Sequence, residues 1–328
     1  MKGVAIVLMV LHHAFGNPDW QLANISYPYL TPYIKAIAYF GGFAVVPMFV
    51  MLTGYTYYLH RDKSWSYSLK KIAVFFVDYW LVLFTVLVAA FYFCGYRPNP
   101  LKIVQEMFSI TKDVMLFSWY ILLYVEIMLF LPFLHHISCR FAPAKVASIL
   151  AGIFAVGFLL QEAIKALGMR DTIIYEIVDH DFMSLMPLAI MGYYFAKYDF
   201  FTQMNACIGS SRRLYILSGL GFLLYQFVTK INFICTPLWI LFLYKLHLDY
   251  SKPLRQLIIF LGRHSMNIWF FQCVFFAVAT REFFQPIGFL PYYPPLVVLW
   301  ILFLCTIASI IFTPIQKLFQ PKVEALFK

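Results

Sequence analysis

The chemistry legible in this sequence begins with a lysine and a histidine. Lys2 and His13 stand eleven positions apart in the run Lys2-Gly3-Val4-Ala5-Ile6-Val7-Leu8-Met9-Val10-Leu11-His12-His13. In a helix, at about 100° per residue, they fall within roughly 20° of each other and share a face. A rise of about 1.5 Å per residue sets them roughly 16 Å apart along the axis. An ammonium group then marks one end of the face, and an imidazole lies deeper, in line with it. Imidazole exchanges protons near neutral pH, so a histidine on such a stripe could act as a general base. His12 points about 80° away from the stripe. A plainer reading stays open beside this one: a histidine at a helix end also caps carbonyls or meets headgroups.

Three other places carry polar groups inside apolar runs, where insertion costs about 2.5–3.5 kcal/mol for a charge. In Trp119-Tyr120-Ile121-Leu122-Leu123-Tyr124-Val125-Glu126, Trp119 and Glu126 are seven apart and lie on one stripe. Glu126 either pairs with a basic partner, stays neutral, or makes a helix–helix hydrogen bond. Asp78, in Phe75-Phe76-Val77-Asp78-Tyr79-Trp80, reads as a structural pairing with Lys70 or Lys71, one or two turns back. In Leu261-Gly262-Arg263-His264-Ser265-Met266-Asn267-Ile268-Trp269-Phe270-Phe271-Gln272, Gly262 marks a helix break after which Ser265 would cap a fresh helix. That helix end with Arg263 is either an anion site or a plain basic cap. No spacing of His, Cys, Asp or Glu reads as a metal site.

The elements that must hold these groups follow from composition. The 328 residues are 62% apolar and only 12% charged, whereas an average soluble domain is about 25% charged. A soluble fold of this size could not hide that much apolar surface. This excludes an ordinary cytosolic enzyme, a disordered chain and a nucleic-acid binder, and leaves an all-α, polytopic integral membrane bundle. A span needs about 20 mostly apolar residues. Such runs give ten candidates, at 3–15, 38–59, 72–94, 114–134, 146–160, 183–195, 214–229, 231–244, 257–279 and 296–312. With the N-terminus inside, alternation puts 17 of the 25 Lys and Arg on the inner side and 8 outside, so both termini are expected to face the cytoplasm. The first run lacks a cleavage-site pattern and is expected to be retained. The net charge of +10 then reflects basic inner loops rather than nucleic-acid binding. Six scattered cysteines, Cys94, Cys139, Cys207, Cys235, Cys273 and Cys305, read as reduced. An acidic run, Glu162, Asp171, Glu176, Asp179 and Asp181, is expected in one external loop. The outer loops are aromatic, with Trp20, Tyr27, Tyr29 and Tyr33 in the first and Phe283, Phe284, Phe289, Tyr292 and Tyr293 in the last. They suit an interfacial belt or a platform for sugar rings. Residues 1–328 read as a single transmembrane domain with no internal repeat.

Four stretches resemble the membrane-bound acyltransferase family three, whose many bacterial members O-acylate surface glycans. The opening run from Lys2 to His13 looks like that family's basic residue followed later by histidine. Pro47-Met48-Phe49-Val50-Met51-Leu52-Thr53-Gly54-Tyr55 is similar to its Ser/Thr-Gly-aromatic segment. Ser118-Trp119-Tyr120-Ile121-Leu122 resembles its Trp-aromatic-Leu motif, with Ile121 for the leucine. Leu261 to Trp269 resembles its Leu-Gly-basic-x-Ser-x-x-Ile-aromatic motif. Val74 and Asp78 stand where an arginine and a proline are common, and Gln272 where a histidine often closes the last motif.

The resemblance implies an O-acyltransferase of the bacterial plasma membrane that takes an acyl group, expected to be acetyl, from cytoplasmic acyl-CoA. The acceptor would be a hydroxyl of a cell-surface polysaccharide or glycolipid. His13 would serve as general base or acyl carrier, with Lys2 as its partner. Glu126, Trp119, Asp78 and His12 would shape or orient the passage. Arg263, Lys70, Lys71 and Ser265 would meet the phosphates of acyl-CoA. No metal is expected. The rival reading is a transporter or flippase of a glycan precursor, which shares the topology but commonly shows repeated, interrupted helices. A third reading, a non-catalytic scaffold or sensor, sits less well with the Lys2–His13 alignment.

Overall fold

A computed structural model describes residues 1–15, 32–170, 172–208, 219, 232–248 and 251–327, all of them helix or connecting loop. The helices are α1 (Lys2–Phe15), α2 (Pro32–Leu59), α3 (Trp65–Cys94), α4 (Pro100–Met107), α5 (Trp119–Arg140) and α6 (Pro143–Ala166). A short α7 (Ile173–Tyr175) runs into a π-helical stretch, Glu176–Leu185, and then α8 (Met186–Lys197) and α9 (Phe200–Ile208). After these come α10 (Asn232–Leu248), α11 (Lys252–Gln272), a 3₁₀ turn (Cys273–Phe275), α12 (Arg281–Gly288) and α13 (Pro294–Ala325).

Four of these, α3, α5, α6 and α13, are long and apolar enough to cross a membrane. Lys2–Phe15 and Ala44–Leu59 are shorter apolar helices. Only 11% of the most apolar stretch of α6 is buried in the protein, with Val156, Leu159 and Phe158 among its exposed side chains. A helix that leaves this much hydrocarbon uncovered is stable only where the solvent is itself hydrocarbon.

The chain forms two compact units. The first comprises Met1–Phe49, Phe76–Ser118 and Cys207–Lys322. Here α1 lies along α11, and the approach is close because Gly3 faces the carbonyl of Ile258, where a Cβ would collide with it. Small residues that let helix backbones meet are the usual device of membrane packing. Polar side chains then bind α13 to its neighbours: His264 to Ser309 at 2.8 Å, and Asn267 to Gln316 by two amide bonds of 2.8 Å each. The second unit comprises Val50–Phe75, Trp119–Ala206 and Val323–Lys328. Its α2 segment crosses α8 through two glycines. A Cβ at Gly54 would run into the Ala189 carbonyl, and one at Gly192 into the Met51 carbonyl. Tyr193 on α8 bonds His135 of α5 at 2.8 Å, and Tyr194 bonds Ser138 at 2.8 Å.

Several expectations are corrected. The span predicted from 114 begins at Trp119, because 108–118 is a loop. Gly262 does not break its helix: α11 runs unbroken from Lys252, and Ser265 donates back to the Gly262 carbonyl at 3.0 Å instead of capping a new helix. Asp78 pairs with neither Lys70 nor Lys71. It accepts from Gln320 Nε2 at 3.1 and 3.0 Å, while Lys70 pairs with Glu324 at 3.0 Å. The acidic run is not a loop: Glu162 lies on α6 and 176–185 is helical, with Asp181 buried. Asp171, the side chains of Glu176, Asp179 and Tyr33, residues Trp20, Tyr27 and Tyr29, and the span expected at 214–229 apart from Gly219 lie outside the described residues.

Candidate functional site

His13 lies in the last turn of α1 and is 8% exposed. Its imidazole lies flat on the Phe117 ring, with centroids 3.5 Å apart and planes within 6°. Phe276 presents an edge at 6.4 Å, and Phe289 packs edge-on to both Phe276 and Phe15 at 6.0 Å. The buried amide of Gln272, at the end of α11, sits beside the imidazole. The result is an imidazole walled by aromatic rings, with an amide within reach. Such a site excludes water and holds a proton acceptor in one orientation.

His12, its neighbour, does different work. Its Nδ1–H donates to the Ala38 carbonyl on α2 at 3.0 Å, which fixes its tautomer. Its ring fills the space above Gly42, where a Cβ would strike it. Lys2 is an exposed residue at the other end of α1, where Gly262 of α11 packs on Gly3 and Lys2. A Cβ at 262 would stand 3.6 Å from Lys2 Cβ, so exposed Arg263 belongs to the same end of the unit as Lys2. The structure thus gathers Lys2, Arg263 and Ser265 near one end of the α1–α11 pair and His13 at the other. Asp78 is tied to Gln320 and holds helices together.

Phe117 sits on the loop 108–118, and its position is set from α4. Asn99 caps α4 by accepting from Lys102 N–H at 2.8 Å, and Pro100 occupies the first turn. The helix ends on Ser109 at φ 61, with Ser109 N–H bonded to the Glu106 carbonyl at 3.0 Å and Ile110 N–H to the Gln105 carbonyl at 2.8 Å. That is the Schellman arrangement, here with serine in the left-handed position glycine usually takes. Glu106 is missing from the sequence-level candidates, as are Phe117 and Phe276. A single glutamate in a short amphipathic helix gives no periodic signal, and aromatic residues are too numerous in this chain to single out two.

The remaining candidates belong to the second unit. Both carboxylate oxygens of Glu126 are buried and find no hydrogen-bond partner among the described residues. Asp181, from the π-helical stretch, is its acidic neighbour. Glu126 borders a groove of about 410 Å³ lined by Trp65, Leu129, Phe130, Phe133, Phe182 and Met186. Trp119 opens α5, edge-on to Tyr120 at 6.1 Å. Lys71 lies over the Tyr67 ring at 5.7 Å, and Lys63 over Tyr58 at 5.3 Å. No three His, Cys, Asp or Glu side chains gather into a metal site among the described residues.

A family model described as an acyltransferase domain matches residues 1–314, nearly the whole chain. The chain belongs to acyltransferase family 3. No curated protein and no solved structure matches it. As a membrane acyltransferase, the protein needs a group that can take a proton from an attacking hydroxyl. It also needs surroundings that keep water from competing for the acyl group. Among the residues of the first unit, His13 and its ring of phenylalanines have the chemistry for both.

Proposed function

We propose that this family 3 acyltransferase moves an acetyl group from cytoplasmic acetyl-CoA to a hydroxyl of a cell-surface polysaccharide or glycolipid outside the plasma membrane. The observation that carries the reading is the imidazole of His13, buried and laid flat on Phe117 in a chain of this family.

In the proposed reaction His13 takes the proton of the acceptor hydroxyl as its oxygen attacks the thioester carbonyl. A C–O bond forms, the C–S bond breaks, and the imidazolium returns the proton to the departing thiolate. The buried amide of Gln272 lies beside the ring. The phosphates of the coenzyme are assigned to the basic end of α1 and α11, where Lys2 and Arg263 lie.

Family membership favours an acyltransferase over a flippase. The test is mass analysis of surface glycans from cells with and without the gene. The reading expects hydroxyl-linked acetyl groups, about 42 Da each, to disappear with the gene. An unchanged acetylation pattern would overturn it.

A further inference from the structure

The loop that carries Phe117 to the imidazole is held by one residue of α4, Glu106. Glu106 is 2% exposed. Its Oε1 accepts from the backbone N–H of Asp113 at 2.6 Å and of Val114 at 3.2 Å, and its Oε2 from that of Met115 at 3.4 Å. Its carbonyl accepts from Ser109 N–H at 3.0 Å and from the Tyr79 hydroxyl at 2.6 Å. A carboxylate that accepts several backbone N–H groups anchors those peptides, because charge-assisted bonds are about twice as strong as neutral ones.

The pinned peptides lead straight to the site. Met115 accepts from Ser118 N–H at 2.9 Å, closing the turn that contains Phe117. The far side is pinned as well: Asp113 accepts from Ala279 N–H at 3.1 Å, just past Phe276, and its carboxylate pairs with Lys102 at 2.9 Å. Trp80 donates to the Met107 carbonyl at 2.9 Å. Loop 108–118 is therefore clamped to α4, which α3 holds in turn, and to the segment after the 3₁₀ turn, and the ring it presents is the one that lies flat on His13.

We propose that Glu106 is a positioning residue for acyl transfer: by clamping loop 108–118 it fixes Phe117 against His13 and so holds the imidazole in its reactive orientation. The inference rests on the assignment of His13 as the base. The clamp as proposed acts through Phe117, which touches both the pinned loop and the imidazole, so its effect must vanish when that ring is gone.

The experiment uses the full-length protein in lipid nanodiscs and has two readouts. The first is the rate at which diethyl pyrocarbonate modifies His13, followed by peptide mass analysis, with His264 and His135 of the same molecules as internal references. The second is transfer of labelled acetyl from acetyl-CoA in membranes that contain the native acceptor. Glu106→Ala is expected to speed modification of His13 several-fold while His264 and His135 keep their rates. It is also expected to lower kcat about 10- to 100-fold with KM for acetyl-CoA unchanged, as misplacement of a catalytic group does. Glu106→Gln, which keeps a carbonyl acceptor for Asp113 and Val114, should recover most of both. Phe117→Leu should reproduce the Glu106→Ala result, and the double variant should be no worse than Phe117→Leu alone. Where Glu106→Ala accumulates poorly, Tyr79→Phe removes only the hydroxyl on the Glu106 carbonyl and carries the same expectation in milder form.

An unchanged His13 modification rate in Glu106→Ala, or additive losses in the double variant, would overturn the clamp. Faster modification of all three histidines would also overturn it, since Glu106 would then be holding the fold at large. The labelling readout does not depend on acetyl transfer, so a failed clamp and a failed assignment of the reaction give different results.

Discussion

His12 and His13 are adjacent and chemically identical, yet the structure divides them. His12 spends its Nδ1–H on the Ala38 carbonyl and its ring on the space above Gly42. His13 lies against Phe117 with Gln272 beside it. General-base catalysis contributes about 10²–10⁴-fold. His13→Ala should therefore lose acetyl transfer by at least that factor while the protein accumulates normally. His12→Ala should keep most of its activity and lose thermal stability, because a packed ring and a half-buried hydrogen bond leave α1–α2. Measuring activity and unfolding temperature for both variants separates the roles, and equal activity losses would contradict the division. At this scale the sequence carried a good deal. The periodicity of the first helix set His13 apart from His12 by about 100° in direction, which puts only His13 on the stripe of Lys2. It could not supply Phe117, which meets His13 from more than a hundred residues away, or Gln320, which bonds Asp78 from the far end of the chain.

At the scale of the elements, two close crossings and one strained turn govern stability. Gly192 stands where any Cβ would strike the Met51 carbonyl, so Gly192→Val should force α8 off α2. Overpacking of this kind costs about 1–3 kcal/mol, and it should appear as a lower midpoint in thermal unfolding in detergent. Ser109 holds φ 61 with its hydroxyl buried and without a hydrogen-bond partner among the described residues. Ser109→Gly relieves a left-handed conformation and should raise stability by about 0.5–1 kcal/mol after the extra entropy of glycine is counted. A fall in midpoint would mean the serine side chain contributes something the geometry does not show. The long helices α3, α6 and α13 were legible because an unbroken apolar run has one stable form in lipid. Helices α4 and α12 were not, since eight residues of mixed polarity carry too little pattern. Gly262 misled for a related reason: in a soluble helix glycine weakens the chain, whereas here it lets α11 lie on α1.

For the whole molecule, the uncovered apolar faces of α6 and α13 require a bilayer. The protein should resist alkaline carbonate extraction and leave the membrane only with detergent. We propose, from the excess of Lys and Arg on one set of loops, that both termini face the cytoplasm. A fluorescent-protein fusion after Lys328 should therefore fluoresce, and an alkaline phosphatase fusion at Tyr292 should be active. The opposite pattern would invert the proposed direction of acyl flow. Composition alone sufficed to name the membrane as solvent, because no soluble fold tolerates so few charges. It could not divide the chain into two units, since α2, α3 and α13 each contribute to both through contacts between residues far apart in sequence.

The measurement that bears most directly on the central claim is acetylation of the surface glycan in cells whose only copy of the gene encodes His13→Ala, followed by mass spectrometry alongside immunoblotting of the membrane fraction. The account predicts wild-type amounts of protein in the membrane and no acetyl ester on the glycan. Acetylation at the wild-type level with His13 absent would contradict it.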